Sequence, residues 1–435
     1  RIQESPSRLV MHHHFRIMRT RSCASISLAL ALALALGFCT LATSAASAGE
    51  VRVPYTSVSS YTLKHNPSLA AARLRIDEAK ARLLGAGRLA NPEVGMEFQR
   101  DDHFYEGTFG VSFDQKFPVT ARLRLEKTVA QKGILAAELE VRDAERKMIA
   151  EMKPLAVKLL SLDQQRALRQ QQADLAMKLS DFASERAKTG EISALDAAQA
   201  QVDAQRILLE GRQLETERIT LLGQLKPMLG VRDTDSLAIT GSLPAMTGGT
   251  PKGNWESRPD YQLSKVHEDA ARSEIDLAKS KKWEDMTAGV TFEHERAVDE
   301  PDGLDKTPFF GVRLSIPLPF WNKNEGQVAE KMAAARRAEL ETYALGYIIR
   351  NEAAAARAEM AAYAKLDSET KDKLLPLVLE QTDKLEKAYQ SGQTDLLTVL
   401  RAREQRLQLE AAVLNATRDY HLARIRYEAA TNSGR

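Results

Sequence analysis

The residues that could do chemistry are few and widely separated. Both cysteines, Cys23 and Cys39, lie within the first 48 residues, so the rest of the chain has no thiol for a disulfide, a nucleophile or a metal site. No Gly-rich phosphate loop follows a predicted strand. We therefore expect no enzyme and no bound cofactor or metal. Five histidines follow residue 48, and none has metal-ligand spacing: His65, His103, His267, His294 and His421.

The first 48 residues are typical of a secretory signal peptide. Basic residues precede an apolar run at 28–38, and Ala46 and Ala48 form a small-residue cleavage pattern. An anchoring helix is the alternative, but the apolar run is short for a bilayer span. We expect translation to start at Met11 or Met18 and cleavage to follow Ala48.

Charge and hydropathy give no sign of nucleic-acid binding or of a membrane-spanning helix after the leader. The formal net charge is only +2 at pH 7, so no basic excess indicates nucleic-acid binding. No apolar run after residue 48 is long enough for a transmembrane helix.

A strand followed by a proline stop occurs twice, each time before a long helical segment. From Phe310 to Ile316 apolar and polar or small residues alternate strictly, and Pro317 ends the strand. The same pattern runs from Phe109 to Pro118. Two short strands, each with one apolar face, therefore lead into Ala-, Glu- and Arg-rich helices.

The order of predicted elements repeats, which indicates an internal duplication. Each half consists of a helix, a β-hairpin, a long helix, a glycine turn and a returning helix. In each half, the two shorter helices together match the long one in length, so we expect them to stack end to end beside it. The predicted segments are a leader at 1–48, a first repeat at 49–230, a linker at 231–257 and a second repeat at 258–435.

Individual helices are predicted from apolar periodicity and from Gly and Pro signals. The long helix of the first half should be kinked by Pro154. The predicted helices are 58–88 with an interruption at Asn66-Pro67, 120–188, 192–229, 258–282, about 65 residues ending at 390, and a final helix after Gly392.

The hairpins have the length and alternation of membrane β-strands. Strand 286–293 is followed by a predicted polar loop at 296–306, and Trp283 and Trp321 stand where an aromatic girdle would lie. Because four strands cannot close a barrel and open edges cannot face lipid, several chains must contribute. A half-buried sheet packed on helices is the alternative. The residues predicted to face lipid are Val94, Met96, Phe98, Phe109, Val111, Phe113, Val290, Phe292, Phe310, Val312, Leu314 and Ile316.

Apolar residues at intervals of seven predict helices packed side by side with left-handed supercoiling. In the final helix, we expect Leu396 and the leucines at these intervals to pack into the helix layer. The first set is Leu195, Val202 and Leu209, and the second is Leu400, Leu407 and Leu414.

The sequence resembles the outer-membrane efflux (TolC-like) family over about 58–430. The resemblance rests on Phe117-Pro118, on Ile316 to Pro319 followed by Asn322 to Gly326, and on two tips, Ala187 to Gly190 and Ala388 to Gly392. It implies a homotrimer in the outer membrane, a twelve-stranded barrel and a periplasmic α-helical tunnel. It also implies docking to a periplasmic adaptor and an inner-membrane resistance-nodulation-division pump. The run from Pro317 to Gly326 most resembles the branch that serves heavy-metal pumps.

Two groups of residues near the tips are the candidate functional residues. We predict that the tip docks the adaptor through Gly190, Gly392, Thr189, Ser391 and Tyr389. We predict a tunnel entrance at Thr394, Thr398 and Arg401, with Gln405 on the same face of the helix. A solvated outer face is the alternative for that stripe. Asp196, also a candidate entrance residue, is expected to partner a basic or hydroxyl group that holds the tips together.

The fold class predicted is mainly α with a small β part, and the predicted function is a trimeric efflux exit duct. A periplasmic coiled-coil adaptor or scaffold without a pore is the alternative. A weak metal contact at His103 and His294, near the outer ends of the hairpins, also stays open.

Overall fold

The computed structural model of the protein describes residues 49–103, 105–246, 251, 253–299, 301 and 303–433. The predicted leader at 1–48 lies outside these residues. The helices are α1 (Val58–His65), α2 (Pro67–Gly85), α3 (Arg122–Lys188), α4 (Ala194–Leu229), α5 (Pro259–Ser280), α6 (Glu325–Glu369), α7 (Leu375–Gln390) and α8 (Leu396–Thr431). The strands are β1 (Glu50–Pro54), β2 (Glu93–Arg100), β3 (Gly107–Phe117), β4 (Ser236–Thr240), β5 (Met286–Asp299) and β6 (Gly303–Ser315). The predicted mainly helical fold with a small β part is confirmed, as is the repeated order of elements.

Each half contains one very long helical run. The 67 residues of α3 extend about 100 Å at 1.5 Å per residue, and the helix continues through Pro154. In the second half a π-helical turn, Thr370–Leu374, joins α6 to α7, whose second residue is Pro376. Proline at 376 has no N–H for the usual i→i−4 bond. The chain instead closes a wider turn, in which the N–H of Leu375 donates to the Thr370 carbonyl.

The predicted end-to-end stacking of the shorter helices is confirmed. Asn66 caps α2 by accepting from the N–H of Leu69 at 3.0 Å, and its side-chain amide donates to the carbonyl of Met228 at the end of α4, 2.8 Å away. In the second half, the Asn432 amide at the end of α8 donates to the Ser257 carbonyl just before α5, at 3.0 Å. These side chains fix the junctions that lie alongside the long helices.

A compact core surrounds the middle of α3 and includes a pairing that the sequence did not reveal. Strands β1 and β4 pair in parallel, with Val53 opposite Ile239. Segment 231–257, predicted only as a linker, therefore contains a strand. The pairing buries apolar side chains from both strands against α3 and α4, including Val53, Leu237, Ile239, Met152, Leu159, Leu225 and Leu229.

The two hairpins form one four-stranded antiparallel sheet in the order β2-β3-β5-β6. The second hairpin extends farther than predicted, because Arg296 pairs with Lys306 and Asp299 with Gly303. The prediction of a polar loop at 296–306 is therefore wrong. Polar residues occupy both faces of this extension, so the alternation of apolar residues could not mark it.

One face of this sheet is apolar and exposed in the single chain. Val312 is 87% exposed, Phe310 82% and Met96 78%. In register, Met96, Val111, Phe292 and Phe310 form one row across the sheet. The opposite face carries rows such as Gly95, Ser112, Thr291 and Gly311. The predicted division into an apolar and a polar or small-residue face is confirmed.

The two returning helices differ in their surroundings. Helix α4 packs on α3, while α8 packs on α3, α6 and α7. Leu195, Val202 and Leu209 of α4 are 77%, 62% and 57% exposed, so their predicted side-by-side packing is not made within this chain and stays a prediction. The α4 residues that are buried instead include Ala197, Ala200, Ala204 and Ile207. Among the described residues, no helix combines the length and apolar character that a bilayer crossing requires.

Candidate functional site: the tips of the long helices

The turns at Gly190 and Gly392 have nearly the same backbone geometry. Their φ angles are +79° and +78°, in the left-handed region that favours glycine, and the space around each Cα is open. Each turn closes with the hydrogen-bond pair of a Schellman motif. The N–H groups of Gly190 and Glu191 donate to residues 187 and 186, and those of Gly392 and Gln393 to residues 389 and 388. The glycines are therefore required by backbone conformation and not by packing.

The hydroxyl groups next to these glycines also turn back onto their own helices. Thr189 donates to the carbonyl of Arg186 at 2.9 Å, and Ser391 donates to that of Ala388 at 3.0 Å. Both side chains are exposed, as are both glycines. Four of the five predicted docking residues therefore lie on the accessible surface of the tip.

Tyr389, the fifth, does not. Its ring is 4% exposed and packs with Ala183, Ala197, Leu396 and Val399. Its hydroxyl has no hydrogen-bond partner among the described residues. Burial raises the pKa of the Tyr389 hydroxyl, Arg186 opposes that rise, and the negative charge of Asp196 adds to it. The prediction that Tyr389 offers its side chain to a docking partner is wrong, and the ring instead holds the two turns together.

Arg186 connects the two tips, a role that sequence reasoning missed. Its guanidinium donates to the Gln390 carbonyl at 3.1 Å and pairs with Glu191 at 3.4 Å. It also lies 4.5 Å from the centroid of the Phe182 ring, which meets Tyr389 edge-on. A basic residue in the last helical turn, facing orphan carbonyls, was the available signal. Asp196, predicted to make such a link, is exposed and acts on Tyr389 only through its charge.

The predicted entrance stripe lies at the start of α8, on the side of the helix that faces away from the buried core. Arg401 and Gln405 are exposed and Thr394 and Thr398 are half-buried. On the other side, Leu396, Val399 and Ala402 are buried, while Leu400 is half-buried. The separation of polar and apolar faces is therefore confirmed, while the lining of a tunnel stays a prediction.

An acidic residue adjoins this stripe. Asp395 caps α8 by accepting from the N–H of Thr398 at 3.3 Å. The Thr398 side chain, which also hydrogen-bonds to it, holds the pKa of Asp395 below its ordinary value, and Arg401 adds to this effect. The position directly before the apolar run at Leu396 was the sequence signal for an N-cap.

Residues 58–231 match the family model described as outer membrane efflux protein. In this part the chain is similar to that family. The predicted location, the outer membrane with an extension into the periplasm, is confirmed at the level of the family. No curated protein sequence matches the chain.

The efflux-protein fold extends beyond the residues that the family model matches. The structure of CusC superimposes with a TM-score of 0.74 at 15% identity, covering 87% of this chain and 92% of CusC. The Campylobacter jejuni outer membrane channel CmeC gives 0.70 at 14% identity, covering 87% and 86%. The Vibrio cholerae outer membrane protein VceC gives 0.68 at 17% identity, covering 87% and 96%. At these identities the likeness shows a common fold for both halves of the chain.

A group of possible metal ligands lies at the outer end of the first hairpin, where a weak metal contact was left open. Ligand atoms of Asp101, Asp102 and His103 lie within 4.8 Å of one another at the turn of the first hairpin. Asp101 accepts from the N–H of Glu106 at 2.9 Å, so turn formation explains part of the cluster. His294 lies elsewhere, on the apolar face opposite Phe109. His103 and His294, where a weak metal contact was left open, are thus not brought into one site.

Proposed function

We propose that the chain is one subunit of a homotrimeric outer-membrane exit duct in a tripartite efflux pump. Substrate would pass from the periplasm to the exterior through a helical tunnel and a twelve-stranded barrel. The observation that carries this proposal is the four-stranded sheet, whose exposed apolar face spans all strands while β2 and β6 stand at its edges.

The sheet edges support closure by copies of the same chain. A membrane requires every strand to have two hydrogen-bonded neighbours, and four strands are too few for a barrel. Edge β6 of one copy can pair with edge β2 of the next, which is a heterologous contact that closes into a ring. Three copies supply twelve strands. A scaffold without a pore, the alternative, would leave both edges and the apolar face in water.

The exposed stripes on the helices support the same ring. Leu195, Val202 and Leu209 line the free side of α4, which is at one end of the helix layer α4-α3-α8-α7. Helix α6 exposes Tyr343 and Tyr347. An apolar stripe on a neighbouring copy is the natural partner for the α4 residues, because exposed apolar rows at heptad spacing favour helix packing.

The tips support docking to a periplasmic adaptor, which would link the duct to an inner-membrane resistance-nodulation-division pump. Gly190, Gly392, Thr189 and Ser391 form the exposed end of the long helices, held in place by Arg186 and Tyr389 from within. The entrance would be lined by Thr394, Thr398 and Arg401. We propose metal ions as the substrate class, because the run from Pro317 to Gly326 resembles the heavy-metal branch of the family.

Cysteine cross-linking tests the closure directly, because after residue 48 the chain has no native cysteine. Glu97→Cys on β2 is combined, one at a time, with Phe309→Cys, Gly311→Cys, Arg313→Cys and Ser315→Cys on β6. We expect one register to give a covalently closed trimer on a non-reducing gel. Ser112→Cys with Thr291→Cys, a directly opposed pair within one sheet, is the matched control and should leave monomers. A ladder that never reaches a trimer in any register would contradict the proposal.

The substrate is tested separately, in a strain that lacks the protein. We expect the strain to become sensitive to metal ions and to regain resistance when the chain is restored. Sensitivity confined to organic compounds would contradict the metal assignment and leave the duct intact.

A further inference from the structure

Three basic residues lie in one row on the apolar side of the sheet. Arg100 is opposite Gly107, Gly107 is opposite Arg296, and Arg296 is opposite Lys306. Because directly opposed residues share a face, these cations continue the face of Phe98, Phe109 and Phe292. Past the row of cations, the longer second hairpin extends the same face with Val298 and Leu304.

In the part of the chain that the structure describes, no acid pairs with this row. Among the described residues, no carboxylate oxygen lies within 4.0 Å of a charged nitrogen of Arg100, Arg296 or Lys306. The Nε of Arg296 is buried and makes no hydrogen bond there. The side chain of Arg100 extends across Gly107, where an added Cβ would come within 2.7 Å of the Arg100 Cδ. The missing side chain at Gly107 therefore gives Arg100 room to reach toward Arg296.

The arrangement is unfavourable for the protein alone. Arg296 and Lys306 are like charges in directly opposed positions, which destabilise a sheet. The same strands do carry acids, Glu97, Glu293 and Glu295, but the register puts them on the opposite face. The apolar face itself leaves this row open to an anion that approaches from outside.

The row is one membrane thickness away from the helical end of the sheet. Ten residues separate Met286, where β5 begins, from Arg296. At about 3.4 Å per residue and a tilt of about 40°, they span about 26 Å, close to the apolar band of membrane barrels at about 25 Å. The aromatic side chain of Trp321, 96% exposed, marks the helical end. In an inserted sheet, the cations thus lie at the level of the lipid headgroups on the side of the membrane away from the helices.

We propose that Arg100, Arg296 and Lys306 form a binding site for the phosphate groups of an anionic lipid in the outer leaflet. The inference rests on the proposed function, since it needs the sheet to be inserted in a membrane. Guanidinium groups bind phosphate through paired hydrogen bonds, and Lys306 adds a point charge. A trimer would repeat the site three times around its rim.

The test uses the purified full-length trimer in detergent and lipid A, a glycolipid with two phosphates, as the probe. The variant Arg100→Gln, Arg296→Gln, Lys306→Gln should bind lipid A on the order of 100-fold more weakly at low salt, and the difference should shrink as salt rises. Arg296→Lys with the other two residues unchanged should keep most of the binding. Phosphatidylcholine and inorganic phosphate at micromolar concentration should not compete.

The matched control removes three cations from exposed helical positions, with Lys178→Gln, Lys371→Gln and Lys373→Gln. It should bind lipid A like the unaltered protein. If the trimer forms and the three-residue sheet variant still binds like this control, the lipid site is wrong while the duct stands. If no detergent-soluble trimer forms at all, both proposals are wrong. Heat-modifiable migration of the sheet variant shows that its assembly is intact.

Discussion

The two returning helices carry apolar residues at the same seven-residue spacing, yet they meet different surroundings. In α8, Leu400 and Leu407 pack against buried clusters, because α3 lies on one side and α6 and α7 lie on the other. In α4, Leu209 is 57% exposed, because α3 is the main neighbour. Heptad spacing thus predicts a packing stripe, whereas the number of adjacent helices decides whether the stripe finds its partner in the same chain.

The sheet repeats this contrast. Strand β3 has neighbours on both sides and β6 on one, so β6 leaves Phe310 and Val312 more exposed than their counterparts Phe109 and Val111. Pairing of β3 with β5 therefore joins the two halves within the chain, while β2 and β6 stand at the two edges of the sheet.

The sharpest test of the comparison is a pair of truncations two residues apart on α4. Ile207 is 4% exposed and packs with Ala173 and Ala176 of α3. Ile207→Ala should lower the free energy of unfolding by about 2–5 kcal/mol. Leu209→Ala should leave the unfolding of the single chain nearly unchanged and lower the temperature at which trimers dissociate.

Thermal unfolding by circular dichroism and trimer dissociation on gels separate these outcomes. Leu407→Ala on α8 is the control, and its effect should fall on unfolding. If Leu209→Ala destabilises the chain as much as Ile207→Ala, the exposed stripe belongs to this chain's own packing and the contrast between α4 and α8 is lost.

The next largest effect is expected on the face of the sheet. Val312→Arg puts a charge at mid-strand toward lipid and should cost about 2–4 kcal/mol of barrel stability. Val111→Arg is the matched change in the first half. Arg313→Leu alters the opposite face and should assemble normally. Urea titration of refolded trimers in lipid vesicles measures all three, and a stable Val312→Arg beside a failing Arg313→Leu would reverse the assignment of faces.

The same contrasts explain which strands and pairings could be predicted from the sequence. Alternation at Phe310 to Ile316 predicted the strand and its faces, because lipid demands an apolar residue at every second position. The alternation stops at Arg296 and Lys306, where polar side chains lie on both faces, so the extended hairpin was interpreted as a loop. The pairing of Val53 with Ile239 was not predictable, because it joins two short segments that no local signal connects.

At the tips, the glycine turns could be predicted from the local sequence, whereas the contacts between helices could not. Gly190 and Gly392 were predicted because a helix reversal needs positive φ. The burial of Tyr389 depends on four helices meeting, which spacing along one helix does not reveal. The same holds for Arg186, whose partner carbonyl at Gln390 is distant in sequence.

The turns provide a smaller test, because both halves have the same geometry there. Gly392→Val should cost about 1–2 kcal/mol locally, since a β-branched residue resists the left-handed conformation. We expect trimers to remain in the outer membrane and efflux to fail, and Gly190→Val should act in the same way. Gly392→Asn, which tolerates this conformation, is the control and should keep efflux. Loss of the trimer itself would make the glycine structural and remove the evidence for docking.

The smallest effect concerns Arg401 at the proposed entrance. Three copies would bring three guanidinium groups together, and a narrow site focuses their field. The pore should then disfavour cations at low salt. Arg401→Ala should weaken this preference and Arg401→Asp should reverse it, with the reversal potential in planar bilayers shifting in graded steps. Each step reflects an exposed charge worth about 1 kcal/mol or less.

Asp395 sharpens this last prediction, because its carboxylate already acts on Arg401. Asp395→Asn should raise the anion preference, opposite in sign to Arg401→Ala, and both shifts should shrink as salt screens the charges. Gln199, the exposed residue of α4 at the position that corresponds to Arg401, gives the matched control, and Gln199→Ala should leave selectivity unchanged. If both Arg401 variants keep the conductance and selectivity of the unaltered pore, Arg401 lies on the outer surface, and α8 presents the polar stripe to the periplasm instead of to the tunnel.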